Sequence, residues 1–176
     1  MGGKTDDKVE STEDLITEVA AAEVQEASSA RVLPGIVEQL KQKYAGIEVN
    51  EQLTVVAPLD NLMDLMQELK HTYHLDYLTN LTAVDYPDEN RFEIVYNINS
   101  IGHGYSIMVK TGVSRDNPVV PSVFPVWGGA VWQEREVYDL LGIVFTGHPN
   151  LKRILTNDGF EGHPLRKDFE WVGGRQ

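Results

Sequence analysis

In "WQEREVYDLLGIVFTGHP", residues 132–149, three consecutive charges, Glu134, Arg135 and Glu136, interrupt a run with the apolar spacing of a helix. Carboxylates in such surroundings either do acid–base work, when their pKa is raised, or hold a structure together, when paired. On a wheel of about 100° per residue, Glu134 falls inside the stripe of Val131, Val137, Tyr138 and Leu141. Arg135 and Asp139 share a second face with Trp132 at the spacing of an i,i+4 ion pair, and Glu136 lies nearest that face. A carboxylate inside an apolar stripe costs free energy unless it is paired or protonated. The basic residues downstream, Lys152, Arg153, Arg166 and Lys167, are its expected partners. The functional alternative is an acid or base of raised pKa in a cleft. A free-standing hydrolase with Glu134 or Glu136 as general base would need a nucleophile or a metal triad, and neither motif is visible.

Other reactive side chains are weaker signals. "GHG" at 102–104 is half of a glycine fingerprint and joins two strands, so it argues poorly for a nucleotide. His71-x-x-His74 has helical spacing but no third ligand nearby, which favours a surface pair over a metal site. His148 and His163 each precede proline, so both are loop histidines expected to hydrogen-bond and orient the chain around them. Trp127 and Trp132 read as core or interface anchors.

The elements that must position these groups follow from periodicity. Residues 1–30 hold eight acids against two lysines, half of the net charge of −12, and read as a solvated arm with a Ser11-x-x-Asp14 capping pattern. A helix opens at Pro34, with Ile36, Val37, Leu40 and Tyr44 on one face, and Gly46 can end it. "IEVNEQLTVVA" is extended, and Pro58 and Asp60 open a second helix with Leu62, Leu65, Met66 and Leu69 inward. Strands are expected at 75–84, 91–99 and 105–110, the first two joined by the turn chemistry of "DYPDEN". Beyond residue 112 the texture changes, and "SRDNPVVPSVFPVWGG" (114–129), with three prolines and an N-cap candidate at Ser122, reads as a loop with a short helical turn. The charged helix then spans about 129–141, stopped by Gly142.

The expected fold is α+β: a small, mostly antiparallel sheet with helices on one face, then a helix and a long irregular C-terminal tail. The expected organisation is an acidic arm (1–30), a domain (31–142) and an extended tail (143–176). A tail this irregular, with Leu, Ile, Phe and Trp among Lys and Arg, is expected to lie along another protein. Net charge −12 argues against nucleic-acid binding. The chain has no cysteine, which excludes disulfides and thiolate-bound clusters, so any electron transfer must use other chains. No apolar run reaches membrane-spanning length, and no secretory signal is expected.

"WQEREVYDLLGIVFTGHPNLKRIL", "GFEGHPLRKDF" and the upstream "RDNPVVPSVFPVW" together resemble the 30-kilodalton subunit family of respiratory complex I. These are the C-type subunits of bacterial NADH–quinone oxidoreductase, called J-type in the photosynthetic enzyme. The family pattern falls on Glu134, Arg135, Glu136, Asp139, Leu140, Leu141, His148, Lys152 and Arg153, with His163, Arg166, Lys167 and Asp168 in the second block. The match is dense over 115–171, co-linear from about 31, and leaves the acidic arm uncovered. The resemblance implies a structural and assembly role in a proton-translocating NADH:quinone oxidoreductase, peripheral on the cytoplasmic face of the bacterial cell membrane. It implies no cofactor, metal or catalytic residue in this chain, with FMN, iron–sulfur clusters and quinone held by other subunits. The implied partners are the hydrogenase-like large subunit (D type) and the iron–sulfur subunit (B type). Glu134, Arg135, Glu136 and Asp139 would be structural charges and the basic residues interface charges. A neighbouring alternative is the equivalent subunit of a membrane-bound nickel–iron hydrogenase, formate hydrogenlyase, or ferredoxin- or F420-linked oxidoreductase.

Overall fold

Pro34 opens helix α1 (Pro34–Lys43) in the computed structural model, which describes residues 34–50 and 54–170. The acidic arm expected at 1–30 and the end of the tail, 171–176, lie outside the described residues. Ile36, Val37 and Leu40 are buried, and Gly46, at φ 81°, turns the chain out of α1. Such a backbone is open to glycine at no steric cost. The extended stretch resolves into two short antiparallel strands, β1 (Glu48–Val49) and β2 (Val55–Val56). After a 3-10 turn (Leu59–Asn61), α2 (Leu62–His71) buries Leu62, Leu65, Met66 and Leu69, the expected stripe.

Three ten-residue strands make the body of the sheet: β3 (Tyr77–Tyr86), β4 (Arg91–Ser100) and β5 (Tyr105–Ser114). They pair as an antiparallel meander, and the β3–β4 connection is a 3-10 turn (Pro87–Glu89) closed by left-handed Asn90. Strand order is β1-β2-β5-β4-β3, with β2 parallel to β5, so the sheet is mixed and mostly antiparallel and the class is α+β. In β4, Phe92, Ile94, Tyr96 and Ile98 are buried, as are Ile107, Val109 and Val113 of β5. They share one core with the apolar faces of the helices. β3 forms an edge of the sheet, where the Leu81 N–H donates to the Gln133 side chain.

Both sides of the charged helix depart from the irregular chain expected there. β6 (Val119–Pro121) pairs in parallel with β7 (Val144–Thr146), and α3 (Ala130–Leu141) connects them. A three-residue strand beside prolines has no alternation to detect, and its partner lies beyond a helix. A turn at 124–126 leads to Trp127, whose indole N–H donates to the Leu75 carbonyl at 3.0 Å. Gly142, at φ 77°, ends α3, with its N–H on the Tyr138 carbonyl at 2.9 Å. Beyond β7 the described chain has no further helix or strand.

Candidate functional site

α3 has two buried carboxyls, and each is held by a different neighbour from the one the sequence suggests. Glu134 is 0% exposed. Its Oε2 lies 2.6 Å from Ser122 Oγ, and its Oε1 accepts the Val123 N–H at 2.7 Å. Ser122 Oγ in turn accepts the Phe124 N–H at 3.2 Å. The expected pairing of Glu134 with Lys152, Arg153, Arg166 or Lys167 is corrected by this geometry: the segment between β6 and α3 supplies two donors directly, and no ion pair reaches Glu134 among the described residues. Burial pushes its carboxyl pKa up, against the pull of Ser122, the Val123 and Phe124 amides and His148. The Tyr96 hydroxyl is buried without a hydrogen-bond partner among the described residues; burial and then Glu134 push its pKa up.

The expected Arg135–Asp139 pair does not form either. Arg135 donates to the carbonyls of Lys152 (3.0 Å) and Arg153 (2.8 Å), and its guanidinium lies 5.4 Å from the Trp132 ring centroid. Asp139 is 0% exposed and takes Arg153 instead, Oδ1 to Nη1 at 2.8 Å. Its Oδ2 accepts three successive backbone N–H groups, from Ile154 (2.9 Å), Leu155 (2.7 Å) and Thr156 (2.8 Å), while the Thr156 hydroxyl donates to Oδ1. Burial alone would raise this carboxyl. The Thr156 hydroxyl, the amides and Arg153 outweigh it and hold Asp139 far below the usual carboxylate range.

The segment after β7 lies along α3 through further bonds of this kind. His148 Nε2 is 3.0 Å from the Val131 carbonyl, and its Nδ1 accepts the Asn150 N–H at 3.0 Å, so a proton on Nε2 satisfies both. Arg153 Nη2 donates to the Gly162 carbonyl at 2.9 Å, and His163 Nδ1 lies 2.9 Å from the Asp139 carbonyl. Burial lowers the His163 pKa. The Leu165 N–H and Arg166 Nε reach the carbonyls of Leu140 (3.0 Å) and Leu141 (2.7 Å), capping the end of the helix. A Cβ on Gly142 would stand 2.6 Å from His163 Nε2, so this tight approach requires glycine twice over. Farther along, the Lys167 N–H donates to Asp85 Oδ2 at 2.8 Å, and Arg115 bridges Asp85 (2.8 Å) and Asp168 (2.9 Å).

Of the residues singled out from sequence, Arg135, Asp139, Arg153, His163 and Arg166 therefore meet in one network, and His148 braces the start of α3. Glu136, Lys152 and Lys167 are exposed, and Asp168 stands apart on Arg115. Ser122, Thr156, Asp85 and Arg115 are partners that sequence reasoning misses; Ser122 alone carries a signal, as a cap candidate. His71, His74 and His103 line a cavity of about 340 Å³ with Asp76, but no group of three or more His, Asp or Glu is placed to hold a metal among the described residues. The network is chemically a clamp: both oxygens of Asp139 are taken by Arg153, Thr156 and three backbone amides of its own chain. Around it, Trp132 (60% exposed), Leu155 (63%) and Leu165 (57%) stand out to solvent.

Residues 55–175 match the family described as "Respiratory-chain NADH dehydrogenase, 30 Kd subunit". The C-type NADH-quinone oxidoreductase subunit of Moorella thermoacetica is 45% identical over 78% of this chain and 95% of its own length. The 30.4 kDa subunit of the mitochondrial NADH-ubiquinone oxidoreductase of Neurospora crassa is 46% identical over 70% of this chain, but over 44% of its own length. The C-type subunit of Brucella ovis is matched over 61% of its length, so the chain spans less than two-thirds of these two relatives. Among solved structures, a trypsin-resistant fragment of Nqo5 superposes with a TM-score of 0.60 at 35% identity, covering 68% of this chain and 98% of the fragment. A chain of the membrane-bound sulfane sulfur reductase, an archaeal respiratory membrane complex, superposes with a TM-score of 0.70 at 28% identity, covering 79% of this chain and 86% of that one.

Proposed function

Because this chain belongs to the 30-kDa subunit family of the respiratory-chain NADH dehydrogenase, we propose that it is a peripheral-arm subunit of a proton-translocating NADH:quinone oxidoreductase with a structural and assembly role. Its neighbours in the complex would be the hydrogenase-like large subunit and the iron–sulfur subunit beside the quinone site. FMN, clusters and quinone would reside in those and other subunits, none in this chain, and the complex would sit on the cytoplasmic face of the cell membrane. Among the described residues no helix is long and apolar enough to cross a membrane, which agrees with a peripheral place.

The observation that carries this reading is how the family's charged residues are used. Asp139 and Arg153 bind the chain to itself, while Trp132, Leu155, Leu165, Lys152 and Lys167 face outward from the same segment and helix. Exposed apolar side chains edged by cations suit a protein partner better than a small substrate. Tagged and expressed in its own host, the chain should co-purify with iron–sulfur-containing subunits, and alone it should turn over neither NADH nor quinone. Turnover by the pure chain, or a monomer with no partner in its own host, would overturn the proposal. The likeness to the sulfane sulfur reductase chain supports a second reading, the same position in a related membrane-bound complex with another electron donor. The redox partners recovered in that co-purification distinguish the two.

A further inference from the structure

The partner reading makes no use of Glu134, a fully buried acid whose neighbours form an unbalanced set. From the β6–α3 segment it meets Ser122 Oγ and the Val123 N–H, with the Phe124 N–H behind Ser122. From β4 it faces the Tyr96 hydroxyl, which is buried with no partner among the described residues. From the chain after β7 it faces His148, whose two ring nitrogens are already engaged by Val131 and Asn150. Donors from one loop, Ser122 and the Val123 and Phe124 amides, with no ion pair among the described residues, leave the charge of an ionised carboxylate at zero exposure without a counter-charge. They suffice for a carboxylic acid, because Ser122 Oγ can accept from Oε2–H as readily as it donates to the carboxylate, while Oε1 keeps the Val123 N–H.

We propose that Glu134 is a proton-operated latch on residues 122–129: the closed loop holds the carboxylic acid, and opening of the loop releases the proton to solvent base. The loop is worth latching. It carries Trp127, bonded to Leu75, and its Val126 carbonyl receives the Lys70 ammonium, so one release loosens its ties to the end of α2 and to the chain between α2 and β3. Tyr96 has an idle buried hydroxyl on which the charge of Glu134 acts, and the latch gives it the part of a further donor when the closed form ionises. Linkage fixes the sign. With a folded-state pKa above the unfolded one, the closed loop is most stable below the ordinary carboxyl range and loses stability as pH rises through Glu134's own pKa. In that window opening should become easier by roughly tenfold per pH unit and then level off.

The test uses the full chain in D2O. Titrated upward through the ordinary carboxyl range, the infrared spectrum should show a protonated-carboxyl C=O band that outlasts those of the exposed carboxyls and that Glu134→Gln removes. Raising the pH should abolish the band reversibly. Below that midpoint, the opening constant of 122–129 from amide exchange, corrected for intrinsic rates, should climb with pH as stated. Glu134→Gln should keep the loop protected and pH-independent, and Tyr96→Phe should carry the band to higher pH. The latch is refuted by a wild type without the band, by a band that survives Glu134→Gln, or by opening that ignores pH. A Tyr96→Phe titration identical to wild type refutes the part given to Tyr96.

Discussion

Asp139→Asn is the substitution that most directly probes how the C-terminal segment is held. Asparagine is nearly isosteric, yet it has one acceptor oxygen where the native residue uses two. Turned toward Ile154, Leu155 and Thr156, that oxygen keeps the three backbone bonds and sets an NH2 group against Arg153 and the Thr156 hydroxyl. Turned the other way, it keeps Arg153 and sets the NH2 against three N–H groups. Either way a buried group loses its partner, and removing one member of a buried ion pair costs about 3–5 kcal/mol. Arg153 is 17% exposed and keeps carbonyl bonds to Asp139 (3.2 Å) and Gly162 (2.9 Å), so the lower end, about 3 kcal/mol, is expected. Urea denaturation of the full chain measures the change, and limited proteolysis should then find new cleavage within residues 150–162. A loss below about 1 kcal/mol would equal that of an exposed ion pair and would refute the claim that Asp139 organises the segment.

Two further outcomes follow from the same network. Gly142→Ala should cost about 2–3 kcal/mol, from left-handed backbone and the displaced His163 ring, and the His163 pKa should climb back toward its ordinary value as the ring becomes exposed; urea midpoints and imidazole NMR titration read the two effects. Acid should weaken the wild type more steeply than Asp139→Asn. The depressed Asp139 pKa gives stability that is complete above the unfolded carboxyl value and is lost as pH falls from about 4 toward the folded one, so urea midpoints measured downward from about pH 5 should converge for the two proteins.

Local rules carried the helices and the long strands. The i, i+3, i+4, i+7 stripe of α2, the alternation of Phe92 through Ile98 and the stop at Gly142 each describe a neighbour-to-neighbour constraint, and each is present in the fold. The helix wheel also placed Glu134 in the buried stripe. It failed on Asp139, which lies on the outer face of α3 and is buried by chain that arrives later, at 154–156. Geometry on the wheel offered Arg135 as its partner, but Arg135 found two carbonyls and Arg153 took the carboxylate. The β6–β7 pair escaped notice for the same reason: three residues beside prolines carry no period, and their partner lies on the far side of a helix. The charges likewise balanced in the wrong pairs, because charge says which groups need partners and the path of the chain decides which arrive.

The bond from the Leu81 N–H to the Gln133 side chain has a consequence for solubility. From Tyr77 to Val84 the outer strand carries no charge, proline or glycine, the composition that recruits further strands and seeds fibrils. An incoming strand would need its carbonyl where the Gln133 amide oxygen now sits. One side chain of the signature helix thus closes the open side of the sheet at its middle, and a chain waiting for its partners is protected there from joining copies of itself.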